Sequence, residues 1–158
     1  MRDKLALSFA MVQAQTPPGI RLYDGLGKIN FQISTANPEA QRYFNQGMGF
    51  AYGFNHAAAI ASFREAQRLD PGCAMCFWAE ALAHGPNINA PITPDANAQA
   101  LKAVARAQEL SANVTPPERA LIMALAKRYS PDPGAQRADL DGAYADAMLT
   151  VARYYPQH

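Results

Sequence analysis

Charge is scarce in this chain. Asp, Glu, Lys and Arg make up 17% of its 158 residues, against about 25% in an ordinary soluble domain. The 14 basic and 13 acidic residues leave a formal net charge of +1. No Lys/Arg cluster stands out, so the electrostatic footprint of a nucleic-acid binder is missing. No apolar run reaches ~18 residues, so no segment reads as a helix that spans a membrane. Cysteine is limited to Cys73 and Cys76, and tryptophan to Trp78. No Ser-His-Asp arrangement, carboxylate pair or Gly-rich phosphate loop stands out, and the common enzyme machinery has no candidate residues here.

What the chain has is alanine, 32 residues of it, within a hydrophobic content of 49%. That is enough for a core. Small side chains suit close helix–helix contact, and alanine is the best helix former and a poor strand former. The pattern is densest from Ala40 to Gly85. An aromatic-rich helix comes first, then a break at Gly53–Asn55. An Ala-rich amphipathic helix follows to Leu69, and Asp70-Pro71 stops it. Another helix then opens at the cysteine pair.

The landmarks have a fixed spacing. Counted from Tyr43, the offsets to Gly47, Phe50, Ala59, Phe63, Ala66 and Pro71 are 4, 7, 16, 20, 23 and 28. Small residues at Gly47, Ala59 and Ala66 let two helices approach. Tyr43, Phe50 and Phe63 fill the space beside them. Pro71 cannot continue a helix and suits the first turn of the next. This spacing resembles the tetratricopeptide repeat (TPR), a helix-turn-helix unit of about 34 residues. The pattern returns once. Ala59, Phe63, Ala66 and Leu69 match Ala100, Val104, Ala107 and Leu110, each 41 residues on. About seven residues are therefore inserted beyond the period, in the proline-bearing stretch from Gly85 to Pro94. A third unit follows. One helix is predicted over Pro117–Tyr129, a break over Ser130–Gly134, and a last helix over Asp139–Tyr155.

Three regions are expected. Residues 1–14 read as a secretory signal or an apolar N-terminal segment: Arg2 and Lys4 precede an apolar run, and Val12-Gln13-Ala14 resembles a cleavage site. The signal reading places the protein outside the cytoplasm, in the periplasm or beyond. Residues 15–36 read as a linker and an extended arm. Within it, Leu26 to Ser34 alternates apolar and polar residues with a strand-like period. An isolated strand is not stable alone, so such an arm is expected to lie along the first repeat or to pair with something. Residues 37–158 read as the repeat domain, with Asn37 as N-cap and Pro38 in the first turn.

The order of an extended GLGKINFQIS, the first repeat and Asp70-Pro71-Gly72-Cys73-Ala74-Met75 also resembles bacterial TPR proteins that carry an Asp-Pro-x-Cys-Ala-Met segment. The resemblance covers roughly residues 26–155. It implies an all-α fold, a right-handed α-solenoid of about three helix pairs, and a non-enzymatic scaffold for partners. No catalytic residue carries over from it.

The chemistry candidates are few. Cys73 and Cys76 form a C-x-x-C at a helix start, where free N–H groups favour a thiolate. A disulfide, two buried thiols, a metal site and redox chemistry all remain open. His84 lies two turns after Cys76, and His56 sits on the preceding helix. Cys73, Cys76 and His84 could hold a soft or borderline metal ion. Phe77 stands where covalent haem needs a histidine. Glu80 is expected to pair with Arg64 or Arg68. Tyr52, Phe54 and Trp78 are aromatic anchors for a partner if exposed. Asn113-Val114-Thr115 matches a glycosylation acceptor. Two functions follow: a scaffold for proteins, peptides or copies of itself, and a metal or redox module. The last helix carries apolar residues on more than one face with no polar cap after it. That predicts a homo-oligomer or filament, or a longer array.

Overall fold

The structure, a computed structural model, describes residues 20–157. The signal-like segment, the Pro-Pro-Gly hinge and His158 lie outside them. Six α-helices follow in order: α1 Pro38–Tyr52, α2 His56–Leu69, α3 Ala74–His84, α4 Pro94–Leu110, α5 Pro116–Ala126 and α6 Arg137–Tyr154. A 3-10 turn, Ser111–Asn113, leads from α4 towards α5. Among the described residues there is no strand, so the fold is all-α. No helix among them is long and apolar enough to cross a membrane.

Local chemistry sets the helix starts. The Asn37 side chain accepts hydrogen bonds from the N–H groups of Glu39 and Ala40, and Pro38 occupies the first turn of α1. Asn55 caps α2 through the Ala58 N–H, and Thr93 caps α4 through the Ala96 N–H. Each cap satisfies donors that the first helical turn cannot. The α1–α2 break turns through Gly53 and Phe54, whose φ of 60° is in the left-handed region that non-glycine residues seldom enter.

Packing follows the small-and-large logic of the sequence. A Cβ added at Gly47 would sit 2.3 Å from Phe63 Cε1. Only glycine lets the Phe63 ring approach α1 this closely. Phe63 is itself buried, with its ring 5.9 Å from that of Phe44. Consecutive helices pack on one another. In addition α3 packs on α1, and α5 packs on α3. The core therefore runs through the middle of the molecule along α3. The insertion between α3 and α4 closes on a small bridge between Asn87 and Ala90. The segment just after α5 holds it in place: Arg128 donates to the Pro86 carbonyl of the insertion, and the Tyr129 hydroxyl donates to the Ala81 carbonyl of α3 at 2.6 Å.

The arm alternates in and out as its sequence predicts, but it pairs with no strand. Ile33 is buried, Phe31 and Ile29 are half-buried, and Asn30 and Gln32 are exposed. The helices offer it no backbone edge. Glutamine side chains take that role. Gln41 accepts the Ile33 N–H and donates to the Phe31 carbonyl, at 3.0 and 2.9 Å. Gln46 accepts the Tyr23 N–H and donates to the Arg21 carbonyl, at 2.8 and 3.0 Å. Each amide brackets a residue and the one two places on, as a neighbouring strand would.

Candidate functional site

Cys73 is the N-cap of α3, and its sulfur accepts the Cys76 N–H at 3.2 Å. The two sulfurs are bonded, with S–S 2.06 Å, and both residues are 0% exposed. They sit in the first turn of the most buried helix, among Ala40, Phe63 and Ala66 of the same core. Bonded to each other, they are not free ligands, so the structure does not assemble the Cys73, Cys76 and His84 metal set expected from the sequence. Among the described residues no group of three or more His, Cys, Asp or Glu could hold a metal ion.

His84 faces a different partner. Its Nε2 lies 3.6 Å from Glu80 Oε1, one turn back on α3. His56 opens α2 and packs edge-on against the Phe54 ring, with centroids 6.4 Å apart. Glu80 is the hub of a polar cluster. Arg64 Nε donates to its Oε1 at 2.7 Å, and Gln67 donates to its Oε2 at 2.7 Å. Of the two arginines expected as its partner, Arg64 takes the role and Arg68 pairs with Glu65 instead. Burial opposes the charge on Glu80, but His84, Gln67 and Arg64 outweigh it and hold the carboxyl at about 2. Beside the cluster opens a cleft of about 680 Å³, lined by Arg64, Phe77, Glu80, Lys102 and Arg106 among others. Its cations and carboxylates are largely paired with each other.

The aromatic candidates divide. Tyr52 and Phe54 are 69% and 61% exposed at the α1–α2 turn. Trp78 departs from the expected anchor role. It is buried, its Nε1–H donates to the Leu121 carbonyl of α5 at 3.2 Å, and its ring meets Phe31 edge-on. The indole locks α3, α5 and the arm together.

One site residue lies outside the candidates read from the sequence. Glu118 is buried at the start of α5 and accepts the Ser34 N–H and hydroxyl at 2.6 and 2.5 Å, as well as the Thr115 N–H and hydroxyl. Burial opposes its ionisation, and the bonds from Ser34 and Thr115 prevail, lowering its pKa. Glu118 also completes a capping box with Thr115 at the start of α5. A second surface lies at the far end. Between α5 and α6 is a hollow of about 570 Å³ lined by Ala120, Met123, Ala124, Ala143, Ala147 and others. Leu149 and Tyr154 of α6 are exposed at this end. No family model matches the chain, and no curated protein and no solved structure matches it.

Proposed function

We propose that the chain is a non-enzymatic, TPR-like scaffold whose three helix pairs wind as a right-handed α-solenoid and whose surfaces bind protein, including further copies of itself. One observation carries this reading. Helix α3 packs on both α1 and α2, and α5 packs on both α3 and α4. The face of α5 and α6 is built the same way, from small residues around a hollow, and no helix of the described chain sits on it. A helix from another copy, or from a further repeat, fits the same packing rule.

Light scattering across a range of concentrations tests the reading. A mass that rises with concentration supports self-association through an open end. A monomer at every concentration removes self-assembly from the proposal. The disulfide supports export of the protein, because such bonds persist in oxidising compartments. It is also what favours the second reading, a redox module at Cys73 and Cys76. Reduction kinetics separate the two. A sealed structural bond reacts only when the fold opens, whereas a redox centre exchanges at a rate unaffected by added stability.

A further inference from the structure

The arm is bound in the way a separate peptide is bound. Residues 31–34 reach all three odd-numbered helices. Phe31 lies edge-on to Phe44 of α1 at 5.5 Å and to Trp78 of α3 at 6.2 Å. Ser34 is held by Glu118 of α5. Gln41 brackets Phe31 and Ile33 through their backbone groups. Backbone brackets select an extended conformation, and alternate side-chain contacts select the residues, which is how strand-like peptides are recognised.

The receptor groups are also held without the arm. Gln41 donates to Asn45 as well, and Gln46 to Ser62. Glu118 keeps both bonds from Thr115, and the Trp78 indole keeps Leu121. The site is therefore preorganised by the helices themselves, and ligand binding there spends little on ordering it. Most of the arm lies on the core and not in it: from residue 20 to residue 36 only Ile33 is fully buried, and Ile20, Leu22, Ile29 and Phe31 pack against the core half-buried.

We propose that the face formed by α1, α3 and α5 is a receptor for an extended segment of another protein, and that the arm occupies it in cis as a competing ligand. The partner segment carries an aromatic residue, a β-branched apolar residue two places on, and a Ser or Thr next, as Phe31, Ile33 and Ser34 do. This rests on the scaffold reading and specifies its ligand and regulation. Tethering gives the arm a high effective concentration, so a free segment binds only in proportion to the time the arm is away.

The probe is a labelled peptide of the arm's own sequence, Lys28 to Ala36, titrated against the full chain by fluorescence anisotropy. Phe31→Ala weakens the arm and leaves the receptor intact. It should tighten peptide binding at least about tenfold. Adding Gln41→Ala to that variant should reverse the gain. A folded Phe31→Ala chain that binds the peptide no better than the parent overturns the proposal. A mass for Phe31→Ala twice the parent's at matched concentration in light scattering overturns it as well, because the occupant is then a second copy's arm. Should the variant not fold, hydrogen exchange on the unaltered chain decides. The Tyr23 and Ile33 amides should exchange at least about a hundredfold faster than those in the middle of α3. Equal protection means the arm leaves only on global unfolding, and the receptor is closed to partners. None of these results bears on the α5–α6 face, so failure here stands apart from failure of the scaffold reading.

Discussion

Helices α3 and α6 are both alanine-rich and have opposite fates. Eight of the 11 residues of α3 are buried, including Glu80. Of the 18 in α6, only Val151 is. Composition sets part of the difference, since α6 carries five Asp and Arg residues and α3 has Glu80 alone of Asp, Glu, Lys and Arg; neighbours set the rest. Helix α3 packs on α1, α2, α4 and α5, while α6 packs chiefly on α5. A helix packed on four others is held from several sides, and a helix packed chiefly on one is held from one side. The same apolar residue thus does different work at the two places. In α3 and beneath it, apolar side chains make the core. In α6, Leu149 and Tyr154 remain at the surface.

The sharpest way to break this contrast is at Phe63, which α1 and α2 share. Phe63→Ala empties a ring-sized site beneath α3 and should cost about 3–5 kcal/mol. Denaturant melts followed by tryptophan fluorescence would measure it, since Trp78 reports on the same core. A loss below about 1 kcal/mol would mean that the core is not shared as described.

Next in size is the disulfide. Cys73 and Cys76 close a very short loop, and the chain-entropy relation gives about 2 kcal/mol for a ring of this length. Cys73→Ala with Cys76→Ala should lower stability by that order while leaving the helix content unchanged. Because both sulfurs are 0% exposed, reductant should act on the folded parent only through opening, and a stabilising condition should slow reduction in proportion.

Glu80 supplies a pH dependence. Its folded pKa is lowered from 4.5 to about 2. A carboxyl with a depressed folded pKa contributes stability that is complete above its unfolded value. That contribution is lost as pH falls through the folded one. Stability should therefore decline between about pH 4.5 and pH 2. Glu80→Gln should flatten that decline and cost about 1–3 kcal/mol at neutral pH, since Arg64 and Gln67 lose a charged acceptor. Melts at several pH values on both chains would check the sign.

How far these features are legible in the sequence depends on how local their causes are. Asn37-Pro38, Gly53, Asp70-Pro71 and Ser130–Gly134 act on their own neighbours, so breaks and helices are readable from them. Boundaries shift by a few residues where caps compete. The last turn of the predicted fifth helix is lost because α5 ends at Ala126, where Tyr129 turns away to reach Ala81. The arm's alternation is readable, but its partners are not. Gln41 and Gln46 look like ordinary helix-surface residues, and only the approach of residues 21–33 makes them clamps. Trp78 reads as a possible anchor because its bond to Leu121, 43 residues on, has no local signature. Glu80 with Arg64 is readable, since spacing across one helix turn and a short loop keeps candidate partners few.

The smallest expected effect on stability falls at the open end, and it sharpens the comparison most. Leu149 is 58% exposed and Tyr154 is 76% exposed. Replacing exposed residues away from caps and core changes stability by about 0.5 kcal/mol or less. Leu149→Ser with Tyr154→Ser should therefore melt like the parent. If this end receives a helix from another copy, the same pair should still reduce self-association, since a buried apolar side chain is worth about 1.5–3 kcal/mol relative to an exposed one. The effect would appear as a lower weight-average mass in light scattering at matched concentration. Two other results would count against the open end. A large loss of stability would mean that these two side chains of α6 belong to the core. Unchanged stability with unchanged mass would place any self-association elsewhere, with the exposed Tyr52 and Phe54 at the α1–α2 turn as the next surface to alter.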